Sequence, residues 1–157
     1  MKIYLLTHQR ELNRKTNTGS LALESSDGLV ERIMWERVNP NKNLVELIQS
    51  HAAVLLYPSS DSCPVNIEKF DHIIILDATW QEAQKMYNQS DYLKPLEKFT
   101  LSNSQPSNYQ LRRNQPQGGL CTIECVIEVL LLKGHDQMAH NLKNSFINFN
   151  NKAIELL

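Results

Sequence analysis

The stretch His72–Gln84, HIIILDATWQEAQ, constrains the fold of this chain more than any other. Ile73 to Leu76 is an unbroken apolar run, the pattern of a strand covered on both faces, as in a parallel sheet. Asp77 ends the run. Thr79 and Glu82 follow with three-residue spacing, the T-x-x-E capping box that opens a helix. An acid therefore stands where a buried strand turns into a helix. In open α/β sheets that carboxyl edge is where ligands bind.

The rest of the chain alternates in the same way. Strands are predicted over Lys2–Thr7, Arg32–Val38, Ala52–Tyr57, 73–76 and Lys98–Leu101. Leu21–Leu23 opens a helix or a short turn. Asn41–Ser50 carries Leu44, Leu47 and Ile48 at helical spacing, with Asn41 or Asn43 as cap. The helix after Asp77 runs to Asn88–Ser90. Another runs from Leu120–Glu124 to Leu132 and is stopped by Lys133-Gly134. A last one covers Asp136–Asn150, with Met138, Leu142 and Phe146 four residues apart. Strands alternating with helices imply an α/β fold with a mostly parallel sheet, and 157 residues suit one domain. Neither G-x-G-x-x-G nor G-x-x-x-x-G-K-[ST] occurs, so nothing supports a dinucleotide or P-loop site.

The formal net charge is −1, so a nucleic-acid partner would need a local basic patch. Arg10, Arg14 and Lys15 form one candidate and Arg112–Arg113 another; short clusters of this kind are more commonly solvated surface. The longest apolar runs are too short to span a bilayer, and the opening MKIYLLTHQR is too short in apolar residues for a signal peptide. The expected location is the cytoplasm. Three cysteines, an odd number, argue against a disulfide framework. No His or Cys pair has zinc spacing, so no metal is expected and buried thiols are the simpler reading. Thr16-Asn17-Thr18-Gly19 sets three small hydrogen-bonding side chains before a glycine, which cradles polar groups of a ligand or simply forms Asx and hydroxyl turns.

Taken together, five segments resemble the DTW-domain family: Thr16–Gly19, Leu55-Leu56-Tyr57-Pro58-Ser59, Asp77-Ala78-Thr79-Trp80 with Gln81–Lys85, Tyr109-x-Leu111-Arg112, and Gly119-Leu120-x-Thr122-x-Glu124. They occur in the family's order and cover roughly residues 1–135. The resemblance implies a tRNA-uridine aminocarboxypropyltransferase. Such an enzyme uses S-adenosylmethionine (SAM) as co-substrate and transfers its 3-amino-3-carboxypropyl group to N3 of a uridine. It also implies a SPOUT-like fold with helices on both faces of the sheet and a C-terminal trefoil knot. Dimers are common among knotted relatives. Two departures stand out. The cysteine pairs that many members carry before the first strand are absent, and Cys121 stands where the family usually has Ser, a poor cap before Glu124.

The same resemblance implies roles. Asp77 and Trp80 would be catalytic, Asp77 as the base for the N3 proton or as a structural acceptor, Trp80 as a stacking surface or a core anchor. The SAM pocket would be drawn from Thr16, Asn17, Thr18, Gly19, Leu56, Tyr57, Pro58, Leu76, Thr79, Leu120, Thr122 and Glu124, with Glu124 pairing the donor's ammonium or capping its helix. Arg10, Arg14, Lys15, Arg112 and Arg113 would meet RNA. A non-catalytic RNA-binding or ribosome-assembly module, and a SAM-dependent methyltransferase of the knotted class, are the competing functions on the same fold.

Overall fold

A computed structural model describes residues 1–58, 66–101 and 120–155, the last three by their backbone alone. In chain order the elements are β1 (Lys2–Thr7), α1 (Gly19–Ser25), β2 (Val30–Met34), α2 (Lys42–Gln49), β3 (Ala53–Leu56), β4 (His72–Asp77), α3 (Trp80–Gln89), β5 (Glu97–Phe99), α4 (Thr122–Leu132) and α5 (Asp136–Glu155). The strands form a sheet in the order β2-β1-β4-β3-β5, every neighbouring pair parallel. The α/β class and the parallel sheet expected from the alternation are what the chain adopts.

Successive strand residues point to opposite faces, and each face has its own core. Ile3, Leu5, Val54, Ile73 and Ile75 pack with Ala22 of α1, with Ile123, Val126 and Leu130 of α4, and with Leu142 and Phe146 of α5. Leu6, Ile33, Leu55, Ile74 and Leu76 pack with Leu44 and Ile48 of α2 and with Ala83 and Met86 of α3. Helices thus cover both faces, which explains why β4 reads as a continuous apolar run. Burying each of its four large side chains is worth roughly 1.5–3 kcal/mol. That offsets the cost of burying the carboxylate at its end.

The connections create a crevice. After β1 the chain turns into α1 on one face; after β4 it turns into α3 on the other. β1 and β4 are neighbours, so their following helices diverge at the carboxyl edge, the switch point of an open sheet. Thr7 and Asp77, paired in register, form its floor.

Several boundaries differ from the sequence reading. β2 covers Val30–Met34, not Arg32–Val38, because its partner β1 ends at Thr7, opposite Met34. Trp35 donates one more bond to the Thr7 carbonyl (2.9 Å), and beyond it Val38 is 90% exposed. β5 is Glu97–Phe99 rather than Lys98–Leu101, since its partner β3 supplies only Val54, Leu55 and Leu56 for pairing. α5 continues five residues past Asn150, to Glu155. The caps are as expected in kind: Asn41 accepts from the Leu44 N–H (3.1 Å), Thr79 and Glu82 form the reciprocal box, and Gly134 has φ +79°. No helix among the described residues is long and apolar enough to cross a membrane.

Candidate active site at the carboxyl edge

Asp77 is fully buried, and four side chains from four segments donate to it. Oδ1 accepts from Asn17 Nδ2 (2.9 Å) and Thr122 Oγ1 (2.8 Å). Oδ2 accepts from Thr7 Oγ1 (3.0 Å) and Arg32 Nη2 (3.4 Å). A buried carboxylate is tolerated when its lone pairs are satisfied in this way. Of the two roles open to Asp77, this geometry favours the structural acceptor: it holds the ends of β1 and β4, the loop after β1 and the start of α4 together. To act on a substrate proton it would have to release one of these donors.

The loop before α1 is shaped around that carboxylate. Asn17 Oδ1 accepts from the Ser20 N–H (3.0 Å) and from Arg32 Nη2 (3.0 Å), while its amide reaches Asp77. Both readings of Thr16–Gly19 therefore meet here, since the Asx turn is also what aims the amide. Gly19 follows because a Cβ there would lie 2.7 Å from Asp77 Oδ2. Thr18 is buried, and its hydroxyl accepts from the Ile123 N–H (3.1 Å), tying this loop to the first turn of α4. Glu124 accepts from the Cys121 N–H (3.1 Å), so it caps α4. The Cys121 thiol is held in the neutral form, pushed up first by burial and then by the neighbouring Glu124.

A second charged group sits beside the first. Arg14 grips Glu82 with both terminal nitrogens (3.0 and 3.1 Å) and also pairs with buried Glu11, to which Asn17 Nδ2 extends at 3.4 Å. Arg14, expected on an RNA surface, is thus committed to two acids. Burial alone would raise the Glu82 pKa. Hydrogen bonds from Arg14 and Thr79 outweigh it and hold the carboxyl at about 2, against an ordinary 4.5. A depressed folded-state value stabilises the protein above the ordinary pKa, and that stability is lost as pH falls through the folded one. In urea melts, the stability gap between wild type and Glu82→Gln should therefore narrow as pH falls from 4.5 to about 2. A pH-independent gap would exclude the pair from acid stability.

The rim is apolar and aromatic. Leu76 is buried against the α3 side; Leu56, Tyr57 and Leu120 are half-buried and Pro58 is exposed. Trp80, the first residue of α3, packs on the second core with its ring 5.8 Å from that of Tyr57. Thr79 is taken up by the capping box. Thr16 is half-buried, and Arg10 and Lys15 are exposed in the segment after β1. Arg112 and Arg113 lie outside the described residues. Among the described residues no group of His, Cys, Asp and Glu is arranged to hold a metal ion.

Sequence reasoning missed Arg32, which reaches Asp77, Asn17, Thr7 (3.1 Å) and Ser20 (3.4 Å) from the middle of β2. A charged residue between Val30 and Ile33 was the available signal. It missed His8 as well, whose ring stacks on Trp35 with centroids 5.5 Å apart at the same edge. It also missed Tyr87, stacked on Tyr57 at 4.5 Å.

Comparison with known proteins gives the chain a family. The DTW domain model matches residues 1–154. The chain is 30% identical over 141 residues to the tRNA-uridine aminocarboxypropyltransferase 2 of Drosophila melanogaster, covering 82% of this chain and 55% of that protein. It is 23% identical over 141 residues to the protein of the same name from Macaca fascicularis, covering 82% and 46%. The chain thus spans about half the length of these curated relatives. No solved structure matches significantly. With its domain model matched from the first strand into the last helix, the chain belongs to the DTW domain family.

Proposed function

We propose that the protein is a tRNA-modifying transferase that carries the 3-amino-3-carboxypropyl group of SAM to N3 of a tRNA uridine, in the cytoplasm. The observation that carries this reading is that three segments bearing the family's motifs, Thr16–Gly19, Asp77–Trp80 and Leu120–Glu124, meet at one buried carboxylate on the switch-point crevice. The relatives named for this activity support it.

The residues at the crevice suit a cationic donor. Three carboxyl groups (Glu11, Asp77, Glu82) and two guanidinium groups (Arg14, Arg32) give the cluster a formal charge of −1. The half-buried rings of Tyr57 and Trp80 offer faces that attract a cation. SAM, when bound, supplies an electrophilic carbon next to its sulfonium. The transfer forms the bond from N3 to that carbon and breaks the carbon–sulfur bond. The electron pair goes to sulfur, methylthioadenosine leaves uncharged, and the N3 proton is given up to a base. No general acid is needed, so catalysis rests on in-line positioning. Asp77, Asn17 and Arg32 supply it by fixing the loop and helix ends that frame the crevice, and Leu56, Tyr57, Trp80 and Leu120 exclude water at its rim. We further propose the SPOUT-like form of this fold with a C-terminal trefoil knot. In support, β5 lies at the sheet's outer edge while α4 starts at the central crevice.

Incubation with unmodified tRNA and SAM, followed by nucleoside mass spectrometry, tests the reaction. Aminocarboxypropyluridine is expected. Methyluridine would reveal a methyltransferase, and retained tRNA binding without product a binding module. SAM at a hundredfold excess over its Kd should also stabilise the protein by about 2.7 kcal/mol in thermal melts. ATP and NAD should do far less; equal shifts with all three would count against the SAM site.

A further inference from the structure

The strongest feature outside the crevice is a column of rings carrying two lysines. Tyr57, at the end of β3, stacks on Tyr87 of α3 with centroids 4.5 Å apart, and its other neighbour is Trp80 at 5.8 Å. Lys94 Nζ lies 4.0 Å from the Tyr87 ring centroid, and Lys98 Nζ, from β5, lies 5.0 Å from it. The Tyr57 N–H bonds the Phe99 carbonyl (3.0 Å), which fixes the β5 end of the column. The column therefore runs from Trp80, three residues after Asp77, out to the edge of the sheet.

These lysines differ from the arginines at the crevice. Arg14 and Arg32 are bonded to carboxylates, so their charge is already matched. Among the described residues no carboxylate lies within 4 Å of Lys94 or Lys98, although exposed Asp91 and Glu97 are close in sequence. An ammonium over a ring keeps its charge and its N–H donors, because the ring's quadrupole neutralises neither. Resting on Tyr87 also limits the freedom of two long side chains, which lowers the entropic cost of a contact made through them.

We propose that Lys94 and Lys98, held on the Tyr57–Tyr87 column, are the phosphate contacts that dock tRNA beside the crevice. This rests on the reading of tRNA as substrate and moves the RNA surface from Arg14 to the β5 side. Two point charges fixed on a rigid ledge suit a polyanionic backbone, and they orient the strand toward Trp80 without reading its bases.

The test is tRNA affinity as a function of salt for wild type, Lys94→Ala/Lys98→Ala, Lys94→Arg/Lys98→Arg and Tyr87→Leu. Loss of two phosphate contacts should reduce the slope of log Kd against log salt by about 1.4–1.8 and weaken binding about tenfold at 0.15 M. The arginine pair should keep the wild-type slope. Tyr87→Leu should keep the slope but weaken binding, since it removes the support and not the charge. The stabilisation by SAM should be the same in the two lysine variants as in wild type, which shows that the crevice is intact. An alanine pair with wild-type slope and affinity would overturn the docking surface while leaving the transferase reading in force. A wild-type protein that neither binds nor modifies tRNA would overturn both.

Discussion

Asp77→Asn is expected to lower the melting temperature by roughly 6–20 °C, the consequence of about 3–5 kcal/mol for leaving a buried charge unpaired. The new amide can keep its oxygen toward Asn17 and Thr122, but its NH2 then takes the position of Oδ2. Thr7 adapts, because its hydroxyl is also 3.2 Å from the Leu5 carbonyl. Arg32 has only donors to present and cannot. Transfer should fall by more than the loss of folded protein, since the loop held by Asn17 and Arg32 loosens. Removing the stranded guanidinium in Asp77→Asn/Arg32→Gln should restore part of the melting temperature. If Asp77 instead removes the N3 proton, the single variant should melt like wild type while transfer slows roughly 10²–10⁴-fold. Melts beside single-turnover transfer separate the two. A variant normal in both would take Asp77 out of the site.

Gly19→Ala should leave the protein folded and cut kcat/KM by about 10²-fold, the effect of an ångström of misplacement at a reacting site. The added Cβ would lie 2.7 Å from Asp77 Oδ2, 3.1 Å from Asp77 Cγ and 3.2 Å from Asn17 Oδ1. Asp77 is pinned by four donors and does not give way, so the Thr16–Gly19 loop must move instead. Overpacking of this kind costs about 1–3 kcal/mol, within the reserve of a domain this size. Calorimetric titration should show weaker SAM binding. Unaltered SAM affinity and transfer would mean that the loop's close approach to Asp77 is not needed.

What the sequence made legible was local or periodic. The β4 run, the Thr79–Glu82 box and the Gly134 stop each depend on residues within a few positions, and the structure has all three. Where β2 ends was not legible, because β1 rather than β2 sets the length of the ladder. Asp77 and Gly19 could be picked out as candidates, yet the reason they belong together is a distance that only the fold defines. Arg32 and Asp77 are 45 positions apart, and Arg14 and Glu82 are 68 apart. An arginine in a loop reads as solvated surface until its acid is known. The reverse holds for Lys94 and Lys98, whose lack of a carboxylate partner within reach is also a property of the fold.

The bond from Thr122 to Asp77 and the bond from the Ile123 N–H to Thr18 have a consequence for synthesis on the ribosome. They join positions 45 and 105 apart. The five strands among the described residues all precede residue 100, so a nascent chain can lay them down before α4 emerges. Contacts of such long sequence separation form late, because the entropy of closing the chain must be met first. Until α4 docks, Asp77 lacks one donor and Thr18 lacks its partner, and the crevice has no fixed wall. A chain interrupted before Thr122 would therefore hold its strands and lack one wall of the crevice, so a closed Asp77 site doubles as a report that α4 has been made and docked.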